Sequence, residues 1–234
     1  MRLDRQPQRQ AQGAVDQRPQ LETPHPLGSA SVQFGRIYVL PVMTEYMSLH
    51  PSVLMRALFV DRVLNMIEEG ADVGVRIGHL AGSGMAAIRV GTVRHVVCAT
   101  PDYLARHGTP ATPRDLRDHA VIGSTSIEAS PEWRFGRERK VAVTLSPRLI
   151  CNTVDAALAA AIDGHGIARL LSYQIAPALA ESRLTILLED FEEQQVPIHV
   201  VNPDGRRASA KIRTFMELTL QRLRANRMLQ ASMS

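Results

Sequence analysis

At 234 residues, with 45% hydrophobic and 21% charged residues, the chain is long enough for one domain or two lobes of about 100 residues each, and too apolar to be disordered throughout. Its net charge of +4 and pI near 9.5 point toward nucleic acid, yet every one of the 27 basic residues except Lys140 and Lys211 is Arg, spread among acids rather than gathered into a stripe, which argues against that reading. Two cysteines, Cys98 and Cys151, exclude a disulfide framework or a metal knuckle, and no run approaches the roughly 18 apolar residues of a membrane span.

Residues 1–28 hold six Gln and four Pro, few apolar residues and no periodicity, the composition of a disordered leader. They contain no hydrophobic signal core, and both cysteines lie in apolar runs, so the expected setting is a reducing cytoplasm. Leu40, Met43 and Met47 recur at helical spacing, predicting an amphipathic helix that closes near His50 and Pro51, with Pro41 in its first turns. Residues 52–60 predict a buried strand. Residues 61–70 predict a short helix capped by Asp61 and stopped by Gly70, and 71–78 a further strand. Strand, helix and strand at this spacing form a βαβ unit, the building block of parallel sheets.

Residues 87–100 predict a long strand passage. Thr100, Pro101 and Asp102 then open a helix as cap, first-turn proline and first-turn acid, and Thr112, Pro113 and Asp115 repeat the device. Short strand-like runs lie around Trp133 and over 141–145. Asn152 and Thr153 precede the Ala-rich helix VDAALAAAIDG, stopped by Gly164; 166–171 reads as a strand feeding a helix over 172–181. A last strand at 196–203 leads to an amphipathic helix from about Ser209, with Ile212, Phe215, Met216, Thr219, Leu220 and Leu223 on one face.

No catalytic constellation is visible, and no enzyme is expected. The eight His are scattered without an H-x-x-x-H pair or a Cys/His cluster, so neither a metal nor a cofactor is expected. GSG at 82–84 and GHG at 164–166 lack the spacing of a dinucleotide fingerprint and read as turns and helix stops, and no G-x-S-x-G elbow presents a serine. From Arg206 to Arg227 seven basic residues stand against Glu217 alone, a pattern that reads as the solvated face of the last helix. In parallel α/β sheets small ligands bind beyond the carboxyl ends of the strands. Three segments are candidates for such a cleft: 29–33, the junction of Val60 with Asp61, and Asn152 with Thr153, although local sequence favours Asn152 as a plain structural cap.

In order along the chain, FGRIYVLPVMTEYMSLHP, LFVDRVLNMIEEGADVGVRIGHL, VRHVVCATPDYLARHGTPATPRDL, WRF, ICNTVDAALAAAIDGHGIARLLSYQI and PIHVVNPDGRRASAKIRTFMEL resemble the effector-binding domain of LysR-type transcriptional regulators, from about Ser29 to Arg224 without large gaps. The resemblance implies an α/β, periplasmic-binding-protein-like (type 2) fold of two Rossmann-like lobes joined by two crossover strands. One lobe is expected over 29–98 with 198–226, the other over 99–197, with 227–234 a flexible tail. The implied hinge comprises Cys98, Ala99 and Thr100 with His199, Val200 and Val201. The implied effector pocket comprises Ser29, Ser31, Val60, Asp61, Ile77, Asn152, Thr153, Gly166 and Ile167. A small-molecule effector, a carboxylate or other metabolite, is expected in the cleft of a homodimer or tetramer, or of an assembly with full-length relatives. DNA is expected to be contacted only through a helix-turn-helix, which the family carries before this domain and which does not precede residue 29 here. Residues 1–28 then read as a shifted reading frame or misassigned start of a truncated gene. The competing reading is a free-standing solute-binding protein of the same fold, against which the missing signal core argues.

Overall fold

The computed structural model describes residues 25–62, 65–80, 85–126, 130–138, 140–203 and 208–230. Most of the expected leader, the GSG at 82–84 and the two arginines that open the basic C-terminal stretch lie outside the described residues. The chain begins with β1 (Leu27–Ala30) and a helical run made of α1 (Val32–Phe34), a π-helical turn (Gly35–Val39) and α2 (Leu40–Leu49). β2 (Arg56–Phe59), β3 (Val73–Ile77) and β4 (Ala86–Val93) follow. Next come β5 (His95–Ala99), α3 (Pro101–His107), a 3-10 segment (Pro113–Asp118), β6 (Val121–Ser124), and the hairpin of β7 (Glu132–Phe135) with β8 (Val141–Thr144). β9 (Leu149–Cys151), α4 (Val154–Ile162), β10 (Ile167–Leu171), α5 (Ser172–Ala180) and β11 (Thr185–Leu187) complete this stretch; β12 (Val196–Asn202), α6 (Ala210–Ala225) and a 3-10 turn (Arg227–Leu229), whose Leu229 is buried where a flexible tail was expected, end the described residues.

These strands make two five-stranded sheets, in the orders β2-β1-β3-β12-β4 and β11-β5-β10-β6-β9, with β7 and β8 pairing separately. β1 runs parallel to β2 and β3, and β12 is inserted antiparallel between β3 and β4. Each sheet with its helices forms a lobe, the two-sheet α/β architecture expected from the sequence.

In the first lobe α2 and α6 cover one face of the sheet. Val42, Met43 and Tyr46 meet Val75, Val90, Ile198, Val200 and Phe215 there. The second sheet is covered on both faces, which explains why its strands read as unbroken apolar runs. Along β5, Val96 and Cys98 pack under α4 and α5, while Val97 and Ala99 pack under Tyr103, Leu116, Trp133 and Phe135. Thr100 caps α3 through its hydroxyl and Ser209 caps α6, as their sequence context predicts.

Five expectations need correction. The helix over Leu40–Leu49 has Pro41 in its first turn and closes at His50 as expected, but it continues a helical run that already starts at Val32. The segment 52–60 is not a buried strand: β2 is four residues long and lies at the sheet edge, with Arg56 and Ala57 exposed. Among the described residues of 61–70 there is no helix, only a bend at Asp61 and Arg62 and a turn ending at Gly70, whose φ of +65° suits glycine. A helix here would have to bury Ile67, which is 75% exposed. Finally, the chain passes between the sheets at Arg94 and again over 188–195. The expected hinge residues therefore lie elsewhere: Cys98 is inside β5, paired on both sides, Ala99 ends β5, paired with Thr185 of β11, and Thr100 caps α3. His199, Val200 and Val201 are inside β12, also paired on both sides. β1 also starts at Leu27, two residues inside the segment expected to be leader.

Candidate functional site

β1, β2 and β3 are short parallel strands, and the residues just past their carboxyl ends form one wall of a cavity of about 520 Å³ between the lobes. Ser31 and Gln33 come from the β1–α1 corner, Val60 and Asp61 from the end of β2, and Arg76 and Ile77 from the end of β3. The opposite wall belongs to the second lobe: Leu171, Tyr173 and Gln174 at the β10–α5 junction, Val154 at the start of α4, and Ser126 after β6. His95, Glu193 and Val196, beside the two crossings, close the cavity between the walls.

Of the residues singled out from the sequence, Ser31, Val60, Asp61 and Ile77 line this cavity. Ser29 is buried within β1, and its hydroxyl lies 3.4 Å from Arg76 Nη2. Asn152 and Thr153 are exposed outside it. Thr153 is the cap of α4, its Oγ1 accepting from the Ala156 N–H at 3.4 Å, a role that local sequence favours for Asn152. Gly166 lies where a Cβ would meet the Ala120 carbonyl at 2.4 Å, and Ile167 is fully buried in the second lobe's core, so neither reaches the cavity wall. Gln33 lines it too, at the end of the candidate segment 29–33, whereas Arg76, His95, Tyr173, Gln174 and Glu193 were not singled out. Arg76 alone left a clear trace, as the charge in an otherwise apolar strand; the others are placed by tertiary contacts.

The wall is electrostatically organised. Asp61 does not cap its own segment: its Oδ1 accepts the Val32 N–H at 2.9 Å, closing the start of the helical run that begins 29 residues earlier. Burial pushes the Tyr173 phenol up to about 12, and the Gln174 amide donates to the phenol oxygen at 3.2 Å while its own oxygen accepts the Leu171 N–H at 2.7 Å. Glu193 accepts from the buried Arg169 and lies 3.3 Å from His95 Nδ1, and Arg94 grips both oxygens of Glu192 at 3.0 and 3.1 Å. Arg169 also stacks over Trp133 and Phe135, at 6.0 and 5.5 Å from the ring centroids. Opposite charges thus tie the two crossings to each other and to β10.

The lobes also touch across the cleft. Gln33 Nε2 donates to Asp155 Oδ1 on α4 at 3.3 Å, and Arg36 lies 3.7 Å from the same oxygen. Phe34 and Tyr38 of the first lobe meet the Tyr173 ring at 5.4 and 5.8 Å. Among the described residues no group of three or more His, Cys, Asp or Glu is placed to hold a metal ion, and no helix is long and apolar enough to cross a membrane.

Residues 29–224 match the family model of the LysR substrate binding domain. The chain is 32% identical over 188 residues to the HTH-type transcriptional regulator PgrR of Escherichia coli K12, covering 78% of this chain and 62% of that one. It is 29% identical over 185 residues to the uncharacterized HTH-type transcriptional regulator YcaN of the same organism, covering 78% and 61%. Among solved structures it is similar to the regulatory domain of AphB from Vibrio vulnificus, with TM-score 0.74, 20% identity and coverage of 85% and 99%. The regulatory domain of CrgA from Neisseria meningitidis superposes with the same TM-score, at 22% identity and coverage of 85% and 98%. The chain spans about three fifths of the length of these curated relatives, at 62% and 61%.

Proposed function

Because this chain belongs to the LysR substrate-binding domain family, with the two-lobed periplasmic-binding-protein-like fold, we propose that it senses a small metabolite in the inter-lobe cavity and passes that state on through the geometry of an oligomer. The observation that carries the reading is the cavity itself. Its walls come from different lobes, so a ligand that fills it has a different affinity for each angle between them. Differential affinity is the requirement for shifting a conformational equilibrium. A volume near 520 Å³ matches a small metabolite.

We put the pivot of that motion at Arg94 and over 188–195, a reading supported by the backbone leaving one sheet for the other there. Within the cavity Ser31, Val60, Asp61 and Ile77 serve the effector, joined by Arg76, Tyr173 and Gln174. The relatives are transcriptional regulators, which favours a sensor over an enzyme and over a free-standing solute-binding protein. DNA contact is assigned to a helix-turn-helix rather than to residues 29–224, assembly to a homodimer or tetramer, and the working compartment to the cytoplasm.

The test is a thermal-shift panel of metabolites, charged and neutral, with light scattering to follow oligomeric state. A sensor is stabilised by at least one compound without consuming it. Turnover of the stabilising compound, or a panel that leaves the melting temperature flat throughout, refutes the proposal.

A further inference from the structure

Arg76 is a half-buried guanidinium on the cavity wall, carried by a strand that is otherwise apolar. Such a group is ordinarily matched by a carboxylate. Among the described residues none reaches it: its contacts are the Ser29 hydroxyl at 3.4 Å and the Val75 carbonyl at 3.5 Å, both neutral and long. Burial lowers its pKa below the ordinary arginine value, with no neighbouring acid opposing that shift.

The carboxylates on the cavity are already engaged elsewhere. Asp61 accepts the Val32 N–H, and Glu193 is held by Arg169 and His95. Arg62, also on the wall, is paired with Glu69. The strands beside Arg76 bring no carboxylate to it. His199 stands directly across from it on β12 and Arg89 across from His199 on β4, and His199 Nδ1 is buried without a hydrogen-bond partner. The start of the helical run, the usual place for an anion in this architecture, is filled by Asp61.

We propose that Arg76 is the anchor for an anionic group of the effector, and that the effector is a small carboxylate whose apolar body rests on Val60, Ile77, Leu171 and Val196. A carboxylate matches a guanidinium with two parallel hydrogen bonds and supplies the charge the wall lacks. This rests on the sensing reading above and narrows it to one chemical class and one residue.

The experiment uses the 234-residue chain and three sets of probes of matched shape: benzoate, cyclohexanecarboxylate and hexanoate; their primary amides; and the corresponding alkylammonium ions. The expected result is that at least one carboxylate raises the melting temperature of the native chain, that its amide and ammonium counterparts do not, and that Arg76→Gln abolishes the shift while Arg76→Lys keeps part of it. An amide or ammonium probe that stabilises as well as its carboxylate, an Arg76→Gln variant that responds like the native chain, or no response to any carboxylate overturns the proposal. A response to amides alone leaves the sensing function standing and removes only the charge assignment. A ligand-free measurement stands beside these: Arg76→Met is expected to melt a few degrees higher than the native chain, because it removes an unmatched charge from the wall. A lower melting temperature marks Arg76 as a structural prop and overturns its role as anchor.

Discussion

Gly35 shows how one side chain governs the approach of a helix to a sheet. A Cβ at this position would sit 2.4 Å from the Phe59 ring, so only glycine lets the π-helical turn lie against β2. Gly35→Ala is expected to cost about 1–3 kcal/mol by urea denaturation, with much of it recovered when Phe59 is reduced to Leu. Tyr173 makes the pH dependence of the fold predictable. Its folded pKa is raised to about 12 from an ordinary value of 10.0, so between those values the folded chain keeps a proton that the unfolded chain releases. The stability it contributes is complete below pH about 10 and falls as pH rises toward 12, and Tyr38 and Tyr46, also raised by burial, act in the same direction. Tyr173→Phe should flatten that alkaline limb in a pH series of denaturation midpoints. His199 gives the opposite limb. Burial first, then Arg89 and His79, lower its pKa, so the fold holds it neutral and loses stability as pH drops below about 6.5. His199→Phe is expected to reduce the acid sensitivity in the same measurement.

The crossings and the β2–β3 connection separate what local sequence can disclose from what it cannot. The cap of α3 at Thr100 and the positive-φ turn at Gly70 are readable because their chemistry is completed within a few residues. The turn over 66–70 is not, because the carboxylate that would have capped a helix there is taken by Val32 in another element. The crossings escape detection for a related reason: β4 and β5 read as one long strand passage, and nothing local marks Arg94 as the point where it changes sheets. Ion pairs at those crossings differ sharply in burial, and so should their mutants. Arg169 and Glu193 are only 4% and 7% exposed, so Glu193→Gln removes the negative charge that faces a buried cation and should cost about 3–5 kcal/mol. Glu192→Gln breaks a pair in which Arg94 is 34% exposed and should cost about 1 kcal/mol or less. Equal costs in parallel urea titrations would contradict this ranking.

At the scale of the whole molecule, the two lobes share more than a hinge. Leu171 and Tyr173 belong to the second lobe's chain segment yet pack into the first lobe's hydrophobic core. Calorimetry should therefore show a single unfolding transition, and Tyr173→Ala should split or broaden it. The alternation of strand and helix made an α/β fold legible in the sequence, and the family resemblance implied its division into two lobes. The cavity was only half legible: the strand-end residues of the first lobe could be placed from the parallel-sheet rule, but the β10–α5 wall depends on how one lobe sits on the other. The order of the strands carries a further consequence. β12 occupies the middle of the first sheet, between β3 and β4, although it is encoded after the entire second lobe. On the ribosome the second lobe, contiguous from β5 to β11, can close while the first still presents two unpaired strand edges. A nascent chain halted before β12 is thus expected to hold one finished lobe and one adhesive one, and to depend on chaperones until its last strand emerges.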